Sequence, residues 1–528
     1  METGTVARVA ASRAVPGGRS RFNLGRVGWV AGQVFSFETA FLLFIFASVY
    51  TADPRLAWFP GDMTLFFFGF SVAIGSVPLL RGSLLYFPGI KAVWAGVTLV
   101  LWIAASQAWS PSHAYATEKV IAVVGGNLWC LTATALIIAS SRVRVWRFLV
   151  LLLIFGVVLA VDFAINADFS AGIPRDERSL TNYLLIGRLV GLAALIAFAL
   201  WLRSPPRSAR GVILLVCFAV CGYALLKGGG RNPMIAVVVG MLIPLLLSFR
   251  LPRGQLIISR RILASLGLIG ALALVVAALA ISDVNSLRTL QRFDTLVSKI
   301  ESGEEANPRT KFWRRAMDYW ADSPLVGHGV GAWPVLYMGR DQRHYPHNII
   351  LELLVETGLV GLVLFTALVL VLAQRAPLRR LREDPALMLA FMLCTNAFVN
   401  SMTTGDLADN RNLFAMLGLL AMRLPNSPAD AGTESRPLSL ETRFDDAVAA
   451  SGRGRRGPPD VAKLQRDMEP GQARSGRERM SWRRRSNSEP MLDLTAAAVV
   501  EPCRQRRPDW RPRRKLSFSG PRPPQQDN

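Results

Sequence analysis

Residues 348–373 read NIILELLVETGLVGLVLFTALVLVLA, a stretch whose only charged side chains are Glu352 and Glu356. It exceeds the ~20 apolar residues that a helix needs to cross a hydrocarbon core. Barrel strands would alternate with period two, and this stretch does not. Hydrocarbon leaves no other solution than a helix, because it cannot satisfy free backbone groups. Working outward, comparable runs lie at 33–50, 63–80, 92–109, 119–140, 146–164, 181–202, 211–226, 232–249, 262–282, 386–402 and 411–424. The expectation is an all-α polytopic membrane protein with about twelve transmembrane helices. A soluble all-α protein would have little use for so many long uncharged runs. Composition agrees: 51% of the 528 residues are hydrophobic and 18% are charged, against roughly 25% charged in an average soluble domain. The mean hydropathy is +0.32.

Against this apolar background the formal net charge is +23. Its distribution argues for topology rather than for nucleic acid. With the N-terminus (Arg8, Arg13, Arg19, Arg21, Arg26) in the cytoplasm, alternation puts four basic loops on the same side. These hold Arg142/Arg144/Arg147, Arg203/Arg207/Arg210, Arg250/Arg253/Arg260/Arg261 and Arg375/Arg379/Arg380/Arg382. This is the positive-inside pattern, with both termini inside. It implies a multi-pass membrane protein whose basic loops face the cytoplasm. Its divisions are a basic N-terminus (1–32), helices one to nine (33–282), one enlarged extracytoplasmic loop (283–347), helices ten to twelve (348–424) and a tail (425–528). No small-residue cleavage site follows the first apolar run, so no signal peptide is expected. The tail carries RGRRG at 453–457, WRRRS at 482–486 and RPRRK at 511–515. With too few large apolar residues for a core, it is expected to be disordered and cytoplasmic, either solvated or held to anionic headgroups. The five cysteines show neither metal-type spacing nor a disulfide framework.

The loop 283–347 is where chemistry collects. A long loop inside a compact domain is usually functional, and this one holds His328, His344 and His347, three of the four histidines. Asn307 and Pro308 open an expected helix over Arg309–Trp320, which Ser323-Pro324 stops. Arg309, Trp313 and Trp320 share one face of it, with Arg314 about 100° away. Arg314 and Arg315 either bind substrate or snorkel from an interfacial helix. Gly327-His328-Gly329-Val330-Gly331 lacks the strand of a dinucleotide site and is expected to be a tight turn. His347 falls at the outer end of helix ten. It can serve as a general base at neutral pH or as a helix cap. Spacing alone also allows zinc on Asp341, His344 and His347, but no third ligand is convincingly placed, and no metal is expected. Asn348 neighbours His347, and Glu352 and Glu356 lie at a depth where ionisable groups are functional candidates.

Three further cations face the same side. Lys227-Gly228-Gly229-Gly230-Arg231-Asn232-Pro233 sets Arg231 behind three glycines at a helix start, suited either to an anion or to a tight turn. Arg188 lies inside helix six and should face the bundle interior. Arg411, in GDLADNR at 405–411, either binds substrate or pairs with Asp406 or Asp409.

From Arg309 to Gly361 the chain resembles the O-antigen ligase/polymerase family of bacterial membrane glycosyltransferases. The resemblance rests on RTKFW at 309–313, on DSPLVGHGVGAW at 322–333, and on His347-Asn348 followed after nine residues by Gly358-Leu359-Val360-Gly361. SQAWSP at 106–111, the GGGRNP turn and GDLADNR agree with it, although Gly230-Arg231-Asn232 departs from a common Ser-Arg-Gly turn. The resemblance implies a metal-independent, cofactor-free, inverting transfer on the periplasmic face. The donor would be a glycan on undecaprenyl pyrophosphate, and the acceptor a sugar of lipid A–core or of another repeat unit. His347 would activate the acceptor hydroxyl, and Arg231 and Arg309 would grip the pyrophosphate, with Arg188, Arg314 and Arg411 as further candidates and Asn348, Glu352 and Glu356 in support. The ligase-type spacing tilts the reading towards ligase over polymerase. A transporter of lipid-linked sugars is the competing class, and it should hold its charges near mid-membrane in two related halves.

Overall fold

The three-dimensional structure is a computed structural model. It describes residues 36–51, 53–80, 87–166, 177–205, 208–248, 309–403 and 405–422, with isolated positions between 267 and 298. The basic N-terminus, almost all of the ninth apolar run, the first part of the long loop and the tail therefore lie outside the described residues. All regular elements among those described are helical. Leaving helices of six residues or fewer unnumbered, they are α1 Phe37–Ile45, α2 Met63–Leu80, α3 Phe87–Ala105, α4 Ala114–Ile138, α5 Arg142–Asn166, α6 Glu177–Arg203, α7 Ala209–Lys227, α8 Arg231–Ser248, α9 Arg309–Asp322, α10 Ala332–Met338, α11 Ile349–Ala373, α12 Pro385–Ser401 and α13 Arg411–Leu419.

Among the described residues seven helices, α2 to α7 and α11, are long and apolar enough to cross a membrane. The chain is a multi-pass helical membrane protein. Of the other apolar runs within the described residues, Arg231–Leu247 in α8 and Pro385–Ser401 in α12 are shorter as apolar helices, α1 breaks at Phe46, and α13 ends at Leu419. Helix starts follow capping chemistry. Ser208 accepts from Gly211 N–H at α7, and Asp384 accepts from Ala386 and Leu387 N–H at α12, with Pro385 in the first turn. Asp384 is also gripped by Arg142, which ties the basic start of α5 to α12. α6 is the central helix, packed on α5, α7, α8 and α12, and α3 lies along α11. Leu65, Phe66 and Phe70 of α2, Ile154 and Val158 of α5, and Val212 and Val216 of α7 face outward, as side chains that meet lipid should.

α11 is not continuous. Gly358 takes φ 66°, ψ −165°, a backbone conformation almost confined to glycine, and breaks the helix at mid-length. The freed backbone groups find partners in the turn at 323–329. Val355 and Glu356 carbonyls accept from His328 and Gly329 N–H, each at 2.8 Å, while Leu359 and Val360 N–H donate to the Pro324 and Leu325 carbonyls at 2.9 and 3.1 Å. The glycine-rich segment is indeed a tight turn, but it closes onto the interior of a broken membrane helix rather than merely returning to it. Broken helices are tolerated in membranes where protein re-satisfies the backbone in this way. Gly327 sits so close that a Cβ would lie 2.6 Å from Glu356 C, Thr357 N and Gly358 N.

Gly358→Ala should therefore lower stability by about 3 kcal/mol, since it strains φ and drives Cβ into the Leu325 carbonyl. Gly69→Ala on α2, where a Cβ meets nothing within 4 Å, should leave the melting temperature unchanged or slightly raised. Thermal unfolding of both variants in detergent checks the contrast.

Candidate active site

The frame of the site is built from short polar segments at the helix ends. Ser106 accepts from Val330 N–H (3.0 Å), and Ser110 donates to the Val330 carbonyl (2.7 Å). The carboxylate of Asp341 caps α4 from outside its own sequence neighbourhood. It accepts from the Ser112 hydroxyl (2.7 Å), from His113 and Ala114 N–H (2.8 Å each) and from Tyr115 N–H (3.2 Å). Desolvation would raise this carboxyl, but the hydroxyl and the three backbone donors reverse that and hold it at about 2. Asp341 is thus used as a cap, not as the third member of a metal set with His344 and His347.

Beneath this frame lies a buried ion cluster. Lys119 of α4 has no solvent exposure and pairs with Glu352, with Glu356 at 2.8 Å and with Asp406 at 3.3 Å. Glu352 also accepts from Leu407 N–H (3.0 Å), and Tyr115 donates its hydroxyl to Asp406. Glu352 and Glu356 are one helical turn apart on α11, so both carboxylates point at the same ammonium. Sequence reasoning found the two glutamates and missed Lys119. It took the helix to begin at 119, where a lysine would snorkel. The helix begins at Ala114, and Lys119 is carried more than a turn inward. Two acids at i and i+4 within one membrane helix were the signal that a buried cation had to exist.

His347 stands at the top of α11. It is the one non-glycine residue with positive φ (59°) among the described residues, a conformation that is uncommon and clusters at functional sites. The helix cap is Asn348, whose side chain accepts from Ile350 and Leu351 N–H at 3.0 and 3.1 Å. The alternative of His347 as cap is thereby excluded, and its ring remains available. Phe312 stacks on that ring at 5.8 Å between centroids and Tyr345 meets it edge-on at 4.5 Å. Burial, then the positive charge of Arg309 and then His344, push the imidazole down to about 4. His347 is a neutral acceptor at physiological pH.

The arginines fall into two groups. Arg309, partly buried at the start of α9, lies in the field of Arg231 and of Tyr345, and burial lowers its guanidinium from its ordinary range. Arg188, buried in α6, feels Asp409 and Tyr345, and Gly405 (φ 84°) comes so close that a Cβ would lie 2.7 Å from its guanidinium. Tyr345, whose hydroxyl burial raises to about 12, shares this neighbourhood with Arg343, which pairs with Asp409. Arg188, Arg309 and His347 are therefore brought around Tyr345, and Arg231 acts on Arg309 from beside it. Arg314 is exposed on α9, whose buried face is Ala316 with Phe312 and Tyr319 rather than the Arg309/Trp313/Trp320 row. Arg411 is turned inward: it lies over the Phe44 ring at 5.1 Å and donates to the Phe44 carbonyl. The alternative, an ion pair with Asp406 or Asp409, does not form, because those carboxylates serve Lys119 and Arg343. The three glycines before Arg231 have local reasons: Gly229 has φ 75°, Gly228 is packed against Phe163, and Gly230 against Pro233.

Residues 216–366, which hold Arg231, Arg309, Arg314, His347, Asn348, Glu352 and Glu356, match the family model described as O-antigen ligase. Over that stretch the chain is similar to the O-antigen ligase family. It is also 34% identical over 114 residues to the exopolysaccharide production protein ExoQ of Rhizobium meliloti (strain 1021), across 19% of this chain and 26% of that protein. The chain thus spans about a quarter of the length of that curated relative. Lys119, Arg188, Asp406 and Arg411 lie outside the matched stretch.

Lys119→Met should destabilise the protein by about 3–5 kcal/mol, because three carboxylates would be left buried without their cation. Lys119→Met combined with Glu352→Gln and Asp406→Asn should recover much of that loss, and thermal unfolding of the single and triple variants measures it.

Proposed function

We propose that this protein transfers a glycan from undecaprenyl pyrophosphate to a sugar hydroxyl at the periplasmic face of the bacterial inner membrane, in the manner of an O-antigen ligase. The observation that carries the reading is the convergence of a neutral His347 with Arg188, Arg231 and Arg309 at one end of the bundle, in a chain whose residues 216–366 match the O-antigen ligase model. In this reaction the acceptor hydroxyl attacks the anomeric carbon, the bond from that carbon to the phosphate oxygen breaks, and inversion follows from a single displacement. His347 takes the hydroxyl proton, a role worth roughly 100- to 10,000-fold in rate. The pyrophosphate leaves with its electron pair, and arginines hold the developing charge without needing a metal. Asn348 sets the helix start that presents His347, and Glu352 and Glu356 anchor that helix to Lys119. Both chain termini lie in the cytoplasm, so the basic loops face anionic headgroups and the site faces the periplasm.

A second reading, polymerisation of lipid-linked repeat units, is favoured by the match to a protein of exopolysaccharide production. The two differ only in acceptor, and offering lipid A–core and lipid-linked repeat units to the same purified protein separates them. A transporter would instead move labelled donor across a vesicle without forming a glycosidic bond.

His347→Ala should abolish transfer while donor binding persists, and Arg309→Ala should raise the donor KM at least tenfold; normal surface polysaccharide in either variant would remove that residue from the site. The pH profile gives an independent check. Because His347 is held at about 4 rather than near 6.5, it stays unprotonated through mildly acidic pH. The acid limb of kcat/KM should therefore fall near pH 4, and Arg309→Gln, by removing a neighbouring positive charge, should move that limb upward.

A further inference from the structure

Next to His347 stands a second imidazole that the reaction above does not use. The His344 ring is half-buried and edge-on to His347, 6.4 Å between centroids. It is the outer member of a parallel set of rings: Trp333 and Tyr337 lie within 8° of one another, and Tyr337 and His344 within 1°. Phe312 bridges the two imidazoles, edge-on to His344 at 5.5 Å and stacked on His347. Trp333 is wholly buried and its indole N–H donates to His344 Nδ1 at 2.9 Å. An indole N–H can only donate, so Nδ1 carries no hydrogen, and the proton of the neutral ring sits on Nε2. Burial disfavours the charged form as well, and a charged ring would set an Nδ1–H against the indole N–H. His344 is thus locked as a neutral ring that offers one N–H and cannot take a proton at its other nitrogen without losing Trp333.

These features suit a ligand unlike the pyrophosphate. The arginines suit an anion; a fixed neutral donor framed by Phe312 and Tyr337 suits an uncharged sugar, whose hydroxyl oxygens accept and whose C–H face packs on aromatic rings. We propose that His344, with Phe312 and Tyr337, forms the acceptor-sugar subsite: His344 Nε2–H donates to an oxygen of the acceptor while His347 takes the proton of the attacking hydroxyl. This rests on the glycosyl-transfer reading above and adds to it where the acceptor sits and which residue selects it.

The test uses the full chain in nanodiscs, with undecaprenyl-pyrophosphate-linked glycan from host membranes as donor and a panel of p-nitrophenyl monoglycosides as acceptors. His344→Phe keeps an aromatic ring in the stack and loses the N–H. His344→Gln loses the ring but keeps a side-chain N–H and a carbonyl for Trp333. The subsite predicts an acceptor KM raised about tenfold in His344→Phe, the worth of one neutral hydrogen bond, with the donor KM within twofold. His344→Gln should recover most of the loss. A packing role predicts the opposite order, with His344→Phe near wild type and His344→Gln impaired, and that result overturns the subsite. Donor and acceptor KM rising together in both variants also overturns it. Transfer by the wild type with an unchanged acceptor KM in His344→Phe removes the subsite alone, whereas no transfer by the wild type removes the glycosyl-transfer reading and the subsite with it.

Discussion

A single ammonium group, Lys119, sits without solvent exposure among three carboxylates and joins three stretches of chain that are far apart in sequence. Each of these charges would cost several kcal/mol to bury alone, and the attraction offsets that only while the geometry is kept. The cluster is therefore intolerant of sliding. α4 cannot shift along α11 without parting Lys119 from Glu352 or Glu356. The 405–410 segment cannot lift without parting it from Asp406. Backbone donors tighten the same arrangement, since Leu407 N–H reaches Glu352 and Ala408 N–H reaches Asp406. This end of the bundle takes its shape from that one constraint.

The broken helix supplies the other half of that shape. With Gly358 in a conformation that stops the helix, Ile349–Thr357 becomes a short rigid block held at its base by the 323–329 turn and on its flank by Lys119. His347 is fixed to the top of this block through the Asn348 cap. Its left-handed backbone turns the ring away from the helix axis and into the Phe312–Tyr345 pair. The strain of that conformation persists because the residues on both sides are over-determined. Arg309 comes from α9, which packs on the same block. His347 and Arg309 thus share a scaffold and do not depend on loop motion to meet.

Most of the architecture was legible in the sequence because length and apolarity are local properties. The runs at 146–164, 211–226 and 386–402 reappear as α5, α7 and α12 within a few residues at each end. What resisted reading was whatever depends on contacts distant in sequence. Asp341 caps a helix more than two hundred residues away, and nothing near it announces this. Arg411 was equally open to an acid partner or a substrate, and an aromatic ring took it. The packed face of α9 could not be read from its pattern, because Trp and Arg dominate that pattern whereas the side chain that packs most deeply is the small Ala316. His347 and Arg309 were singled out through the resemblance, and the fold sets them beside one another. Lys119 was implied by its two glutamates and went unrecognised because its helix starts earlier than the apolar run.

The site couples two requirements that at first oppose each other. Arginines suited to a pyrophosphate also raise the local positive potential, and this helps to push His347 down to about 4, where it is a poor base for a sugar hydroxyl. On the glycosyl-transfer reading, the donor itself resolves the conflict. A pyrophosphate seated among Arg231 and Arg309 brings negative charge to the groups that depress the imidazole, and it closes the space to water. The repulsion from Arg309 is then compensated, and a nearby anion favours the imidazolium that forms as the proton arrives. His347 becomes an effective base only once the leaving group is in place. An empty site then holds a weak, neutral imidazole with little capacity to activate water or a stray hydroxyl, so the arginines select the moment of proton transfer as well as the donor.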